Sequence, residues 1–254
     1  MPLTAAAETG GDCGSDFDQT HAIWNGLVKQ YVKNGSVSYG ALKSGGRQEL
    51  NRYLGSLEAV CPAQYQGWNQ SQKLAFWINA YNAYTVDLIL DNYPTSSIMK
   101  IAGGNGAAFK QRFIPLGHLA KRGSKSAKIA LNDVENNVIR KQFREPRIHF
   151  ALVCASKSCP PLRSEAYRGA TLSRQLEAQT RAFIRDSKLN RYDASSNTLS
   201  LSRIFEWYGE DFQRGGSTVP SFVARYLDAS AAAAIKAKTP RVTYLDYDWS
   251  LNGR

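Results

Sequence analysis

Arg147-Ile148-His149-Phe150-Ala151-Leu152-Val153-Cys154-Ala155-Ser156-Lys157-Ser158-Cys159-Pro160-Pro161-Leu162 is the stretch from which the rest of the chain is read. It follows Glu145-Pro146, where the proline disfavours helix, and Ile148, Phe150, Leu152 and Val153 suit a buried strand. The pattern predicts a strand through His149 that ends in a tight loop of small residues, Ala155 to Ser158. Pro160 is then placed to open a short helix behind Cys159. One strand and one loop thus gather a histidine and two of the four cysteines.

A thiol near neutrality is mostly protonated, so a cysteine nucleophile needs a base or an imidazolium beside it, and that base needs a group to hold its tautomer. His149 is the candidate base and Glu135 the candidate orienting carboxylate. The sulfur is either Cys154 or Cys159. His149 and Cys154 are an odd number of residues apart and would face opposite sides of a continued strand, so they meet only if the strand ends or bulges near Val153. Cys159 would gain from the positive end of a helix beginning at Pro160. The competing readings are a Cys154–Cys159 disulfide, a metal site, or two inert thiols. Zinc is disfavoured because no second pair of ligands has suitable spacing, and no metal or other cofactor is expected.

Upstream, residues 72 to 92 are apolar around nearly the whole helical circumference, which predicts an internal helix. Asn69 and its polar neighbours offer a cap at its start. Asn79 and Asn82 share one face of that helix. They either lock adjacent loops or serve the site, one of them orienting the imidazole or donating to an oxyanion. Leu131 to Arg140 predicts a further helix with Glu135 at the margin of its apolar stripe, either in a salt bridge with Arg140, Arg144 or Arg147 or in a catalytic role. Helical spacing also covers residues 16 to 33, Leu50 to Leu57, Leu172 to Ile184 and Val219 to Leu227. Residues 197 to 201 read as a strand paired near Tyr192, and residues 242 to 249 as a terminal strand. Ile204, Phe205, Trp207, Tyr208 and Phe212 form an aromatic cluster suited to a core or to a substrate groove. His21 and His118 have no thiol nearby, and His118 reads as a surface histidine.

The chain of 254 residues is 43% apolar and 21% charged, the composition of an ordered globular protein. Its +11 charge suggests an anionic neighbour: a cell-wall polymer, a membrane surface or an acidic substrate. A nucleic-acid role would rest on that charge alone and is not expected. No apolar run reaches the roughly 20 residues of a spanning helix. Residues 1 to 16 read as a flexible segment ahead of one domain, 17 to 254, and as the remnant of a removed secretion signal. Cys13 and Cys61 are either a structural bridge, which favours a periplasmic or secreted protein, or two unpaired buried thiols.

Four stretches in order resemble one family: KLAFWINAYNAYTVDLIL at 73 to 90, LNDVENNVIR at 131 to 140, RIHFALVCASKSCPPL at 147 to 162, and SRIFEWYGEDF at 202 to 212. They are similar to the signatures of the DUF547 family. The resemblance implies an α+β fold with a papain-like, or more broadly transglutaminase-like, cysteine-hydrolase core. It also implies a Glu-His-Cys triad that maps onto Glu135, His149 and Cys154, with Cys159 in the same motif as the alternative nucleophile. The expected architecture is a helical N-terminal layer on a small, mostly antiparallel sheet that carries His149. The expected activity is hydrolysis or acyl transfer on a peptide-like or cell-wall-derived amide. The rival reading is a binding module with a basic aromatic groove and both thiols tied in a disulfide.

Overall fold

The computed structural model describes residues 15–120 and 127–254. Residues 1–14 of the expected N-terminal segment, Cys13 among them, lie outside those residues. Cys61 itself is disulfide-bonded, which removes the reading of it as an unpaired thiol.

The Gln70–Asp91 helix is the axis of the fold, and its start is written in the sequence. The Asn69 side chain accepts the Gln72 N–H while the Gln72 side chain accepts the Asn69 N–H, each at 2.9 Å, so two otherwise orphaned donors are satisfied. From Leu74 to Leu90 nearly every side chain is buried, as an apolar circumference requires. The Arg47–Glu58 helix lays Leu50, Tyr53, Leu54 and Leu57 into the same core. Trp24, from the Ala22–Tyr31 helix, stacks on Tyr53. That first helix starts later than its apolar spacing predicts, because the Asp18 carboxylate accepts the N–H groups of Thr20 and Ala22 and holds a turn ahead of it. A short hairpin follows, β1 (Val32–Lys33) and β2 (Ser36–Val37), turned by Asn34 and Gly35 at positive φ.

Beyond the Leu172–Ile184 helix, β3 (Arg191–Asp193) runs antiparallel to β4 (Thr198–Leu201), with Tyr192 opposite Leu199. β4 pairs in parallel with β5 (Arg241–Tyr244). The fold is therefore α+β, largely helical with small sheets. Two apolar clusters divide its interior. One surrounds the Gln70–Asp91 helix, and the other contains Phe150, Phe183, Phe205, Phe212 and Phe222.

The strand expected through His149 is not formed. Residues Pro146–Phe150 are a 3₁₀ helix, with Pro146 in its first turn and the Glu145 side chain accepting the Arg147 N–H. Ahead of Cys154, the Asn82 amide takes the Ala151 carbonyl and the Val153 N–H, removing main-chain groups that a sheet ladder would need. An apolar run too short to show a period fits a buried turn as well as a strand. The turn straddles the two clusters, with Ile148 in the first and Phe150 in the second, and His149 stands between them. No helix opens at Pro160 either, and the chain there is irregular.

The segment expected as one terminal strand divides in two. Arg241–Tyr244 joins the sheet, and residues 245–254 leave it as a strap along the cysteine loop. Lys157 and Ser158 N–H groups donate to the Ser250 and Asp248 carbonyls at 2.9 and 3.2 Å, and the Asn252 N–H donates to the Ala155 carbonyl at 3.0 Å. The strap continues to the hairpin, where Arg254 donates to the Val37 carbonyl and Gly253 passes too close to that carbonyl to carry a side chain.

Candidate active site

The two clusters, the cysteine loop and the strap enclose a cavity of about 220 Å³ whose wall includes His149, Cys154, Cys159 and Glu135. Cys154 is half-buried and Cys159 buried, and both are free thiols. This corrects the reading in which the two form a disulfide. Ala155, at φ +59, turns the chain directly behind Cys154 in a conformation that side chains other than glycine rarely adopt.

The two sulfurs lie 2.9 Å apart, and Cys154 Sγ is also 3.1 Å from Ser156 Oγ and 3.2 Å from the Tyr247 hydroxyl. Burial alone would raise the Cys154 pKa, but the hydrogen bonds from Cys159, Ser156 and Tyr247 outweigh it and bring the thiol down to about 7. Burial and the neighbouring Cys154 push Cys159 well above an ordinary thiol. Of the two thiols it is therefore Cys154 that ionises first, while Cys159 keeps its proton. Cys159 Sγ also accepts the Cys154 N–H at 2.9 Å, so it braces its neighbour from the main chain as well. Without a helix behind it, Cys159 lacks the field that favoured it as nucleophile.

His149 is buried and stacked on Tyr208, ring centroids 4.0 Å apart. Its Nε2 lies 2.7 Å from Asp211 Oδ2, while its Nδ1 is 3.9 Å from Glu135 Oε1. A carboxylate only accepts, so Nε2 carries the proton in the neutral ring and Nδ1 keeps its lone pair. Asp211 is held in turn by Arg140 Nε at 2.6 Å and Arg214 Nη2 at 2.5 Å. Burial would raise Asp211, yet His149 and Arg140 hold its carboxyl well below the usual carboxylate range. The carboxylate in hydrogen-bonding contact with the imidazole is thus Asp211, and Glu135 stands on the other side of the ring. Among the described residues no hydrogen bond joins His149 to either sulfur.

Residues 65–184 match a protein-family model described as "Protein of unknown function, DUF547". No curated protein and no solved structure matches the chain. Within the DUF547-matched segment lie Asn79, Asn82, Glu135, His149, Cys154 and Cys159. Asp211, Tyr208, Tyr247 and Trp249 lie outside it.

Glu135 belongs to a π-helix, Asp133–Ile139, where a plain α-helix was expected. Such departures from α-helical winding are frequent at functional sites. Glu135 is 7% exposed and has no lysine or arginine partner within salt-bridge distance among the described residues. The expected bridges to Arg140, Arg144 and Arg147 are not made, because Arg140 pairs with Asp211 and Arg147 with Glu145.

Asn79 and Asn82 do not line the cavity. Asn79 donates to the Tyr167 carbonyl at 2.7 Å and accepts the Tyr167 N–H at 3.0 Å, and Asn82 does the same with Ala151 and Val153. Both amides lock loops to the central helix, so the oxyanion role is corrected to a structural one. The aromatic cluster splits between core and site. Phe205 and Phe212 are core, whereas Tyr208 and Trp207, the latter 44% exposed, face the cavity with Tyr247 and Trp249. The sequence reading missed Ser156, Asp211 and Tyr247 as site residues. Asp211 lay inside a quoted motif, but only the fold shows that its carboxylate meets the imidazole. Tyr247 carried no local signal. Among the described residues no group of three or more His, Cys, Asp or Glu side chains is placed to hold a metal ion.

Proposed function

We propose that the cavity catalyses thiol-dependent hydrolysis or acyl transfer on an amide, in a fold of the papain-like or transglutaminase-like kind. The observation that carries this reading is a half-buried thiol drawn to about 7 in the same cavity as an imidazole fixed by a buried carboxylate. In this mechanism the Cys154 proton passes to His149, and the thiolate attacks the amide carbon while the carbonyl π electrons move to oxygen. Tyr247 stays protonated because burial and the two thiols raise it far above an ordinary phenol, so its hydroxyl donates to that oxygen. Collapse expels the amine, which takes its proton from His149 and leaves a thioester on Cys154. Water, deprotonated by His149, or an acceptor amine then releases the acyl group. The transfers run through a bridging water or the leaving group, since ring and sulfur are not in direct contact. Asp211 is a positioning residue throughout: it fixes the tautomer and steadies the imidazolium as it forms.

The bonded Cys61 supports an oxidising compartment, periplasmic or extracellular. The exposed Trp207 favours ligand binding by itself as well, which is what a non-catalytic module would also need. Mass spectrometry after incubation with a panel of activated acyl esters separates the two readings. A hydroxylamine-sensitive acyl adduct on Cys154, absent in Cys154→Ala and formed more slowly in Asp211→Asn by about 10- to 1,000-fold, is the expected result. Unmodified Cys154 with every ester, or an adduct that survives in Cys154→Ala, would overturn the mechanism.

A further inference from the structure

The chain carries a formal +11 charge, yet among the described residues no lysine or arginine lines the cavity. Among the described residues the one carboxylate on the cavity wall is Glu135, more than nine-tenths buried and without a lysine or arginine partner. Arg140, the nearest arginine on the same helical segment, lies against the Tyr208 ring and is committed to Asp211. The same cavity wall carries π surfaces. Trp207, Tyr247 and Trp249 form one contiguous wall with centroids 4.6 to 5.8 Å apart, and Tyr208 continues it beside His149. A desolvated carboxylate that shares a cavity with aromatic faces attracts a cation, above all an ammonium, which the ring quadrupoles and the carboxylate favour together.

We infer that the substrate carries a protonated amine on its acyl part, bound between Glu135 and the Trp207–Tyr247–Trp249 wall while its carbonyl meets Cys154. The inference names the substrate class of the thiol site and, as a statement about substrates, rests on the mechanism above. Before His149 takes up a proton, Glu135 has no positive partner in the cavity, and the substrate ammonium supplies one. An aminoacyl amide or ester with a free amine fits this chemistry. An N-acylated one leaves the carboxylate buried beside the Tyr208 hydroxyl and the His149 ring, without a lysine, arginine or ammonium to pair it among the described residues.

Two measurements on the full chain test it. Cys154→Ala is titrated with n-butylammonium chloride against a sodium chloride blank by isothermal titration calorimetry. Saturable binding is expected, weakened at least tenfold by adding Glu135→Gln and several-fold by adding Trp207→Ala. Because the Trp207 side chain is exposed, the second change keeps the fold and decides the matter if the Glu135 variant does not fold. Absence of saturable binding, or equal affinity in the folded variants, overturns the inference. In the native protein, free-amine aminoacyl coumarylamides are expected to show kcat/KM at least tenfold above their N-acetylated counterparts, and equal values overturn it. Ammonium binding without turnover of either series would sink the thiol mechanism while leaving the ammonium pocket in place.

Discussion

Cys154 and Cys159 sit in one loop with their sulfurs in contact, yet they are opposite kinds of thiol. The difference lies in donors: Cys154 receives three polar neighbours, whereas Cys159 is sealed and has an incipient anion beside it. Below about pH 7 Cys154 is protonated and unreactive, and above it the thiolate form dominates, so its alkylation by iodoacetamide should rise to a plateau with a midpoint near 7. Removing a donor destabilises the thiolate and raises the pKa. Tyr247→Phe and Ser156→Ala should each move the midpoint upward, and stopped-flow alkylation across pH 5 to 10 reads it directly. A midpoint unmoved in both variants would show that these hydroxyls do not tune the sulfur. The residue types pointed to this loop, but the choice between its cysteines did not lie in their spacing. It depends on how deep each sulfur sits and on a tyrosine far along the chain, neither of which a local pattern carries.

The Gln70–Asp91 helix shows which parts of the fold a sequence declares. An apolar circumference and the Asn69–Gln72 cap fix its identity and its start, and its two buried asparagines announce that main chain from elsewhere must come to meet them. What they meet could not be read, because the segment 147–153 satisfies the composition of a strand while its hydrogen bonds go to a side chain. Asn82 fastens that segment just ahead of the nucleophile. Asn82→Ala leaves the Ala151 carbonyl and the Val153 N–H buried without partners, and at about 1–3 kcal/mol for each such group a loss of about 2–6 kcal/mol is expected. Urea unfolding measures the loss. Because the fastening sets where Cys154 lies, alkylation should lose its midpoint near 7 even where the variant remains folded. A variant as stable as the native chain would mean that water replaces the amide.

Two apolar clusters meet at the Pro146–Phe150 turn, and the chemistry draws on both. The thiols stand with the first, and Asp211 comes from the short helices packed around the second. Proximity in sequence favours Glu135 as the carboxylate beside the imidazole, whereas the packing of two distant segments brings Asp211 into hydrogen-bonding contact with it. The excess positive charge is a sum over a surface, and among the described residues the cavity wall carries no lysine or arginine. Away from the site, His21 is buried against the Tyr53 hydroxyl, and burial lowers its pKa to about 4. An unfolded histidine takes up a proton near pH 6.5, so this group's contribution is fully present above that pH and is lost as pH falls toward 4. The loss amounts to about 3 kcal/mol. His21→Asn tolerates the positive φ at this position and should flatten the decline between pH 6.5 and 4, as read by urea midpoints against pH. An unchanged slope would mean that His21 is protonated in the folded chain.

The strap also sets an order of events. The sulfur of Cys154 and the hydroxyl of Tyr247 are 93 residues apart in the chain, so a ribosome delivers the nucleophile long before the phenol that sharpens it. Until residues 245–254 have closed over the loop, the thiol lacks one of the three neighbours that lower it. Full sharpening of the sulfur therefore waits on the closing of the strap.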